Sequence, residues 1–194
     1  MRLAIFASGS GTNAENLIQQ TQKGLAKGDV VLVVSDKRQA PVLKKASELG
    51  VETAEVIPSS FEDKQAYETY LIERLNAAKV EFILLAGYMR LIGPVLLQAY
   101  EGRIVNIHPS LLPHFPGLDA VGQALEAKAK ETGVTIHYVD AGMDTGPVIA
   151  QEKIAIELDD DHVSLTKKIQ AVEHQLYPHV VNQIVAEKTR GENE

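Results

Sequence analysis

Three polar side chains with complementary chemistry lie in two short segments of the second half of the sequence. Asn106 and His108 belong to NIHPSLLP at residues 106–113, and Asp144 opens DTGP at residues 144–147. An amide can donate a hydrogen bond to a developing oxyanion, an imidazole can transfer a proton, and a carboxylate can orient the imidazole. Together these are the groups needed to hold, polarise and deprotonate an acyl-transfer centre.

The spacing of the first two residues favours a shared position at the end of a strand. In extended backbone, residues two apart project from the same face, so Asn106 and His108 are predicted to point the same way. Pro109 and Pro113 cannot continue a strand comfortably, so the chain must turn just beyond the pair. Ligands of parallel α/β sheets bind at the carboxyl ends of the strands. The pair is therefore predicted to lie at such an edge.

Each of these residues also has a simpler interpretation when it is considered alone. Asn106 could cap a turn, His108 could be a histidine whose ring is satisfied within a turn, and Asp144 could be a turn residue of a glycine-rich hairpin. The combination of all three at strand ends is what favours chemistry. A catalytic role is predicted for the set rather than for any single member.

The histidines do not predict a metal site. The sequence has six histidines and no cysteine, which excludes a thiolate-based site. No histidine pair has the i,i+4 spacing with an adjacent glutamate that a helical zinc site uses. His108, His137 and Asp144 could in principle converge on a metal ion, but their spacing gives little support. We therefore predict no metal, and a supporting role for His137 on the strand beside the catalytic pair.

The catalytic group must be positioned by an alternation of strands and helices. Short aliphatic runs alternate with amphipathic stretches along the first half of the chain, which is typical of a mostly parallel sheet flanked by helices. We predict strands at residues 2–7, 29–34, 51–57, 80–86 and 102–107. We predict helices after residue 13 with Leu17, Ile18 and Leu25 pointing inward, from Pro41 to about Gly50, and at residues 61–78.

The pattern changes after the fifth strand. Two strands are predicted at residues 134–139 and 147–156, joined by a glycine- and aspartate-rich turn that contains Asp144. Because so short a turn connects them, we predict that they are antiparallel and extend the sheet at its edge. The remaining predicted elements are a helix within residues 117–130, a long helix at residues 162–188, and a charged tail at residues 189–194 that frays.

A glycine loop, GSGTN at residues 9–13, separates the first strand from the first helix. Backbone N–H groups at such a helix N-terminus bind phosphate, although a tight turn with a helix cap would need the same small residues. The loop also matches half of a dinucleotide fingerprint, with Gly9, Gly11 and Ala14 in order and Asp36 where a ribose-binding acid would lie. The residues alone leave open a phosphate ligand, a nicotinamide dinucleotide, or a non-catalytic nucleotide-binding module.

The composition is that of one acidic globular domain. The chain has 194 residues, of which 45% are hydrophobic and 23% charged, and its net charge is −7. The acidic balance argues against nonspecific binding to nucleic acids or anionic membranes. The N-terminus enters a strand without a basic leader, and no apolar run is long enough to span a membrane. With the lack of cysteine, these features predict a cytoplasmic protein.

Seven segments carry a resemblance to a known family. They are ASGSGTN at 7–13, LAGYMRL at 85–91, NIHPSLLP at 106–113, FPG at 115–117, TGVTIHYV at 132–139, DTGP at 144–147 and EH at 173–174. Over essentially its whole length the chain resembles the folate-dependent glycinamide ribonucleotide transformylases, also called phosphoribosylglycinamide formyltransferases.

The resemblance implies a Rossmann-like, seven-stranded α/β sheet. It implies transfer of a formyl group from 10-formyltetrahydrofolate, as cosubstrate, to the amine of glycinamide ribonucleotide in purine (IMP) biosynthesis. It also implies a single formyltransferase domain over residues 1–194. In that domain, residues of about 1–100 would form the phosphate-binding half and residues 101–188 the catalytic and folate-binding half.

The resemblance further assigns roles by position. The three catalytic residues keep their roles, and Glu173 on the last helix would face the glycinamide. The ribonucleotide phosphate would be bound by Gly11, Thr12 and Asn13. The folate would be bound by Asn106 and by Lys64, a position where some relatives carry Arg. It would also be bound by two short segments. The first consists of Met89, Arg90, Leu91 and Ile92, and the second of Asp140, Ala141, Gly142, Met143 and Asp144.

Two positions depart from the family pattern. Some relatives carry His where this chain has Asp119 and Val121, and the sequence does not determine whether Asp119 takes over such a role.

Two related families use similar chemistry but have an additional domain. Methionyl-tRNA formyltransferases carry an added C-terminal tRNA domain, and formyltetrahydrofolate deformylases carry an N-terminal regulatory domain. Because this chain is short and acidic, we do not expect the tRNA domain, and because its first strand is predicted to start at residue 2, we do not expect the regulatory domain. The oligomeric state stays open, with a homodimer as one alternative.

Overall fold

A computed structural model describes the backbone of residues 1–191 and the side chains of residues 1–188. In this part of the chain, seven strands alternate with six α-helices. The strands are β1 (Arg2–Phe6), β2 (Asp29–Ser35), β3 (Glu52–Glu55), β4 (Phe82–Leu85), β5 (Ile104–His108), β6 (Glu131–Tyr138) and β7 (Val148–Ala155). The helices are α1 (Thr12–Gln22), α2 (Pro41–Glu48), α3 (Lys64–Ala77), α4 (Pro94–Ala99), α5 (Ala120–Glu126) and α6 (His162–Gly191).

The strands form one sheet in the order β3-β2-β1-β4-β5-β6-β7. Neighbours from β3 to β5 are parallel, whereas β6 is antiparallel to β5 and β7 is antiparallel to β6. This confirms the predicted Rossmann-like, mostly parallel seven-stranded sheet and its antiparallel addition. β1 and β4 are neighbours although two strands separate them along the chain, so the strand order reverses between them. Ligands of open α/β sheets bind at such a switch point.

A hydrophobic core covers each face of the sheet, because alternate residues of a strand project to opposite faces. Leu3 and Ile5 belong to the core that includes residues of α1, α2 and α6. Ala4 and Phe6 belong to the core formed with α3 and α4. Burial on both faces explains why the central strands read as unbroken aliphatic runs in the sequence.

Three local predictions need correction. Leu25 is 64% exposed rather than inward-facing, because helix α1 already ends at Gln22. Helix α3 begins at Lys64, later than predicted, because Asp63 caps its N-terminus by accepting a hydrogen bond from the Ala66 N–H. Helix α4 has no counterpart among the predicted elements.

The last helix continues further than predicted. Helix α6 extends to Gly191, so the predicted fraying tail at residues 189–194 is helical as far as Gly191, and residues 192–194 lie outside the described residues. Across residues 1–191, no helix is both long and apolar enough to cross a membrane.

Candidate active site

A cavity of about 640 Å³ opens where β1, β4 and β5 end. It lies beside the switch point between β1 and β4, the position at which open α/β sheets bind ligands. The turn that joins β6 to β7 and part of α6 complete its wall. The predicted site residues that line it are Gly11, Thr12, Asn13, Met89, Arg90, Leu91, Ile92, Asn106, His108, His137, Asp140, Gly142, Met143, Asp144 and Glu173.

Strand pairing brings His137 beside the Asn106 amide. The antiparallel register of β5 and β6 places Asn106 opposite His137, and Asn106 Nδ2 lies 3.2 Å from His137 Nε2. The other ring nitrogen, Nδ1, lies 2.9 Å from the Tyr138 carbonyl oxygen. Because a carbonyl only accepts hydrogen bonds, Nδ1 carries the proton of the neutral ring and Nε2 accepts from Asn106. The imidazole of His137 thus orients the Asn106 amide.

His108 is held by a backbone carbonyl beyond its own strand. The ring is 5% exposed, and its Nε2–H donates to the Phe115 carbonyl oxygen at 2.8 Å. Its Nδ1 lies 3.5 Å from Asp144 Oδ2. A protonated His108 would therefore have an acceptor at each ring nitrogen, which suits an imidazole that transfers protons. The contact with Phe115 was not among the predicted features.

Asp144 joins the other two catalytic candidates from the turn between β6 and β7. Its carboxylate accepts from the Gly117 N–H at 2.8 Å and from the Asn106 amide at 3.4 Å. Burial alone would raise the pKa of Asp144. The hydrogen bond from the Gly117 N–H and the nearby His108 outweigh this effect and hold the pKa below its ordinary value. Asp144 is therefore a carboxylate at neutral pH.

The lowered pKa of Asp144 has a consequence for acid stability. A folded-state pKa below the unfolded value, about 3.9 for aspartate, gives stability that is present above that value and is lost as the pH falls through the folded pKa. We expect the melting temperature of the wild type to fall relative to Asp144→Asn between about pH 5 and about pH 3. Thermal unfolding followed by circular dichroism measures this, and a difference that stays constant over the range would contradict it.

The glycine loop enters α1 with a backbone geometry suited to an anion. Gly11 has a φ of 69°, and a Cβ at this position would meet Val42 of α2, so the position requires glycine. Thr12 and Asn13 form the first turn of α1, and the N-cap residue supplies no side-chain hydrogen bond to it. Free N–H groups at a helix N-terminus bind phosphate. The loop is thus a suitable anion site within the cavity.

Asn13 links this loop to α6. Its Nδ2 donates to Glu173 Oε2 at 2.9 Å, and both side chains are buried. Burial raises the pKa of Glu173, and the hydrogen bond from Asn13 only partly opposes this. Among the residues the structure describes, Asn13 Oδ1 has no hydrogen-bond partner. Loop and helix therefore form a polar corner of the cavity.

Asp36, the candidate ribose-binding acid of the dinucleotide alternative, is turned away from ligands. It is 4% exposed, and its Oδ1 accepts from the Ser8 hydroxyl at 2.5 Å. Its other oxygen lies 4.0 Å from Lys37 Nζ. A dinucleotide site needs this carboxylate on the ribose 2′-hydroxyl. The geometry therefore disfavours a nicotinamide cofactor.

Comparison with known proteins decides between the remaining alternatives. A sequence profile described as "Formyl transferase" matches residues 1–181. The chain belongs to the formyl transferase family. It is 48% identical to the phosphoribosylglycinamide formyltransferase of Bacillus subtilis (strain 168), over 98% of each chain. It is 42% identical to the trifunctional purine biosynthetic protein adenosine-3 of Drosophila melanogaster, over 95% of this chain and 14% of that protein.

A solved structure extends the likeness of this formyl transferase to its fold. The crystal structure of phosphoribosylglycinamide formyltransferase from Bacillus halodurans matches with a TM-score of 0.94 and 52% identity, covering 97% of both chains. The resemblance to the phosphoribosylglycinamide formyltransferases, which the sequence motifs indicated, is therefore confirmed.

The segments that the formyl transferase resemblance assigns to folate expose apolar side chains at the cavity. Met89 is 60%, Leu91 56% and Met143 53% exposed. Two other assigned residues lie outside the cavity wall. Ala141 is exposed in the turn, and Lys64 is exposed at the start of α3, with its Cε near Gly93. Contacts of Lys64 and Ala141 with a ligand in the cavity therefore have no support from this geometry.

The two positions where this formyl transferase departs from some relatives have separate tasks. Asp119 lines the cavity, caps α5 by accepting from the Gly122 N–H at 3.1 Å, and lies 2.9 Å from His162 Nε2. Val121 belongs to the buried core and also contributes to the cavity wall. Neither side chain supplies the imidazole found in those relatives.

Several cavity residues of this formyl transferase were not predicted. They include Ser8 and Tyr88, which lie within the motifs at residues 7–13 and 85–91, Lys37 and Leu118, which follow Asp36 and the FPG motif, and Gln170, three positions before Glu173. Across the described part of the chain, no three His, Asp or Glu side chains are grouped so that they could hold a metal ion.

Proposed function

We propose that this chain transfers the formyl group of 10-formyltetrahydrofolate to the amine of glycinamide ribonucleotide, in the cytoplasm, as a step of de novo purine biosynthesis. The observation that carries the proposal is the convergence of Asn106, His108 and Asp144 in a cavity that also contains the glycine loop. Relatives named for this activity support it. The chain acts as one formyltransferase domain, with residues of about 1–100 holding the phosphate and residues 101–188 the folate and the reaction centre.

In the first step, the neutral amine of the ribonucleotide attacks the formyl carbon, and a tetrahedral oxyanion develops. Asn106 directs one N–H to His137 at 3.2 Å and the other to Asp144 at 3.4 Å. The longer bond is the weaker one, so that N–H turns to the oxyanion while His137 keeps the amide in place. Protonated His108 keeps its Nε2–H on the Phe115 carbonyl and turns its Nδ1–H, which lies 3.5 Å from Asp144 Oδ2, to the same oxygen, whose charge it offsets. Donors of this kind contribute roughly 3–4 kcal/mol each to transition-state stabilisation.

In the second step, the intermediate collapses and the bond from the formyl carbon to the folate nitrogen breaks. The attacking amine must lose a proton and the leaving nitrogen must gain one, so the two transfers balance. Asp144 organises a water molecule that carries this proton, and its charge stabilises the imidazolium of His108. The Gly117 N–H holds the carboxylate in position for both tasks. The scheme contains no metal ion and no covalent enzyme intermediate.

The two substrates meet at this centre from different segments. Backbone N–H groups of Gly11, Thr12 and Asn13 bind the ribonucleotide phosphate, and Glu173 on α6 faces the glycinamide. The folate binds to the exposed apolar segments near Met89 and Met143, with backbone groups of residues 89–92 and of the turn at residues 140–144 contacting its pterin ring.

Replacing Asn13 by alanine tests whether the glycine loop and Glu173 together hold the ribonucleotide. The variant keeps the backbone N–H of residue 13 but loses the side-chain amide that donates to Glu173, the residue that faces the glycinamide. We expect the KM for the ribonucleotide to rise roughly tenfold, because Glu173 loses the hydrogen bond that positions it, with the folate KM unchanged. Initial rates with each substrate varied in turn measure both constants.

Asn16→Ala is the matched control for this variant. It removes another hydrogen bond between α1 and α6, from Asn16 Nδ2 to the His174 carbonyl oxygen at 2.8 Å, without touching the cavity. Its two KM values should stay near those of the wild type. A change confined to the folate KM in Asn13→Ala would refute the assignment of the ribonucleotide to the loop and Glu173.

A direct assay tests the proposed function itself. Purified protein is mixed with 10-formyl-5,8-dideazafolate and glycinamide ribonucleotide, and the absorbance of the deformylated product is followed. Product that forms only when the ribonucleotide is present establishes formyl transfer. Product released without the ribonucleotide would instead show a deformylase, and the lack of any product would refute formyl chemistry.

A further inference from the structure

The segment at residues 87–93, here called the folate segment, packs on the core through Tyr88 and Ile92 and exposes other side chains. It connects β4 to α4 without forming a helix or strand. Met89 and Leu91 are 60% and 56% exposed, so most of their surface makes no contact with the core. The backbone of its exposed part is therefore positioned by polar contacts at its ends as well as by this packing.

Ser8 holds the first end of the folate segment. Its Oγ accepts from the Met89 N–H at 2.9 Å and donates to Asp36 Oδ1 at 2.5 Å. Because the hydroxyl hydrogen is donated to buried Asp36, the Ser8 lone pairs are left to face the Met89 N–H. The Ser8 N–H also donates to the Gly87 carbonyl oxygen at 3.0 Å, a contact that does not depend on the side chain.

Glu68 holds the second end. This α3 residue is 2% exposed, and its carboxylate accepts from the Gly93 N–H at 2.5 Å and the Leu96 N–H at 3.2 Å. It therefore caps α4, whose N-cap residue Gly93 has no side chain to do so. A Cβ on Gly93 would lie 2.5 Å from Glu68 Oε1, so the two residues fit closely.

The anchored groups enclose a stretch of open backbone. The Met89 N–H donates to Ser8 Oγ, and the Gly93 N–H donates to Glu68 Oε1. Among residues 1–191, no hydrogen bond uses the N–H groups of residues 90–92. Backbone donors left open in a cavity wall are suited to binding a polar ring edge. Their aim depends on the two anchors together with the burial of Ile92 and the contact of the Arg90 guanidinium with the Tyr67 ring.

We propose that Ser8, oriented by Asp36, and Glu68 are positioning residues that hold the folate segment in the geometry required for folate binding. This inference rests on the proposed function, because it takes the cavity ligand to be a folate. Neither residue touches the reacting atoms, so their loss should weaken folate binding without changing the chemical step. The ribonucleotide site, built on backbone N–H groups of the glycine loop, should be spared.

Steady-state kinetics of Ser8→Ala and Glu68→Gln test the proposal. Each variant should raise the folate KM roughly tenfold, the effect of one lost hydrogen bond to a buried group, while kcat and the ribonucleotide KM stay within about twofold. Ser8→Thr keeps the hydroxyl and should behave like the wild type. Should Glu68→Gln fail to fold, Ser8→Ala decides alone, because its backbone contact to Gly87 remains.

Asp63→Ala is the matched control for general loss of stability. It removes the cap of α3, the helix that carries Glu68, through the bond from Ala66 N–H to Asp63 Oδ1, without contacting the folate segment. It should lower the melting temperature and leave both KM values unchanged. Folded Ser8→Ala with an unchanged folate KM would overturn the proposal. So would a parallel rise in both KM values in Ser8→Ala and Asp63→Ala.

Calorimetric titration with 10-formyl-5,8-dideazafolate separates failure of this inference from failure of the proposed function. Wild-type protein that binds the folate analogue but transfers no formyl group would refute the function, and weaker binding by Ser8→Ala would still support the anchor. Equal binding by the wild type and Ser8→Ala would overturn the positioning role of Ser8, whether or not the wild type transfers formyl groups. Wild-type protein that binds no folate analogue would overturn both.

Discussion

His108→Ala is expected to reduce kcat by roughly 10²–10⁴-fold, the usual contribution of a positioned acid–base group, with little change in either KM. The ring is buried at the end of β5 between the Phe115 carbonyl and the Asp144 carboxylate. The Nδ1–H of an imidazolium in this position donates to the oxyanion, which exists only in the transition state and the tetrahedral intermediate. Loss of an interaction made only there lowers kcat and spares ground-state binding. Single-turnover and steady-state rates with saturating substrates measure it.

His114→Ala provides the matched control for this variant. His114 lies six positions further along the same turn, is exposed, and does not line the cavity. It should retain the wild-type kcat, so that any loss in His108→Ala belongs to the imidazole in the cavity. An His108→Ala enzyme with undiminished kcat would remove His108 from the mechanism.

The strands could be predicted because the information that defines them is local. β1 and β4 are covered on both faces, so their residues form continuous aliphatic runs that stand out in the sequence. Pro41 at the start of α2 gave an equally local signal. Helix α4 also begins with a proline, Pro94, but this signal was not sufficient to predict it. It is six residues long, and the carboxylate that caps it lies on α3, 25 positions from Gly93.

The candidate site likewise combines features that the sequence predicts with features that only the tertiary fold determines. Asn106 and His108 share a strand, so their common orientation could be predicted from their spacing, and Asp144 followed from the turn between two predicted strands. The partners that orient them could not, because the Phe115 carbonyl belongs to the backbone and carries no sequence signature. At Asp36 the sequence predicted a ligand contact that the fold does not provide. Its position suggested a ribose contact, but tertiary packing buries it against Ser8.

Asp144→Asn is expected to lower kcat by roughly 10²–10⁴-fold, within the range of positioned acid–base groups. The amide can still accept from the Gly117 N–H, so the turn between β6 and β7 should keep its place. What disappears is the negative charge 3.5 Å from His108 Nδ1, which stabilises the imidazolium, and the acceptor that organises the proton-carrying water. The KM values should therefore change much less than kcat. Steady-state rates near neutral pH, where the lowered pKa keeps the wild-type carboxylate ionised, give the comparison.

The double variant His108→Ala/Asp144→Asn makes this prediction sharper. If the carboxylate acts mainly through the imidazole, removing both groups should cost about as much as removing His108 alone, because groups that act as a unit are not additive. Asp159→Asn, which removes an exposed charge away from the cavity, should leave kcat unchanged. Losses that multiply in the double variant would mean that Asp144 works independently of His108, with proton transfer through water as its main task.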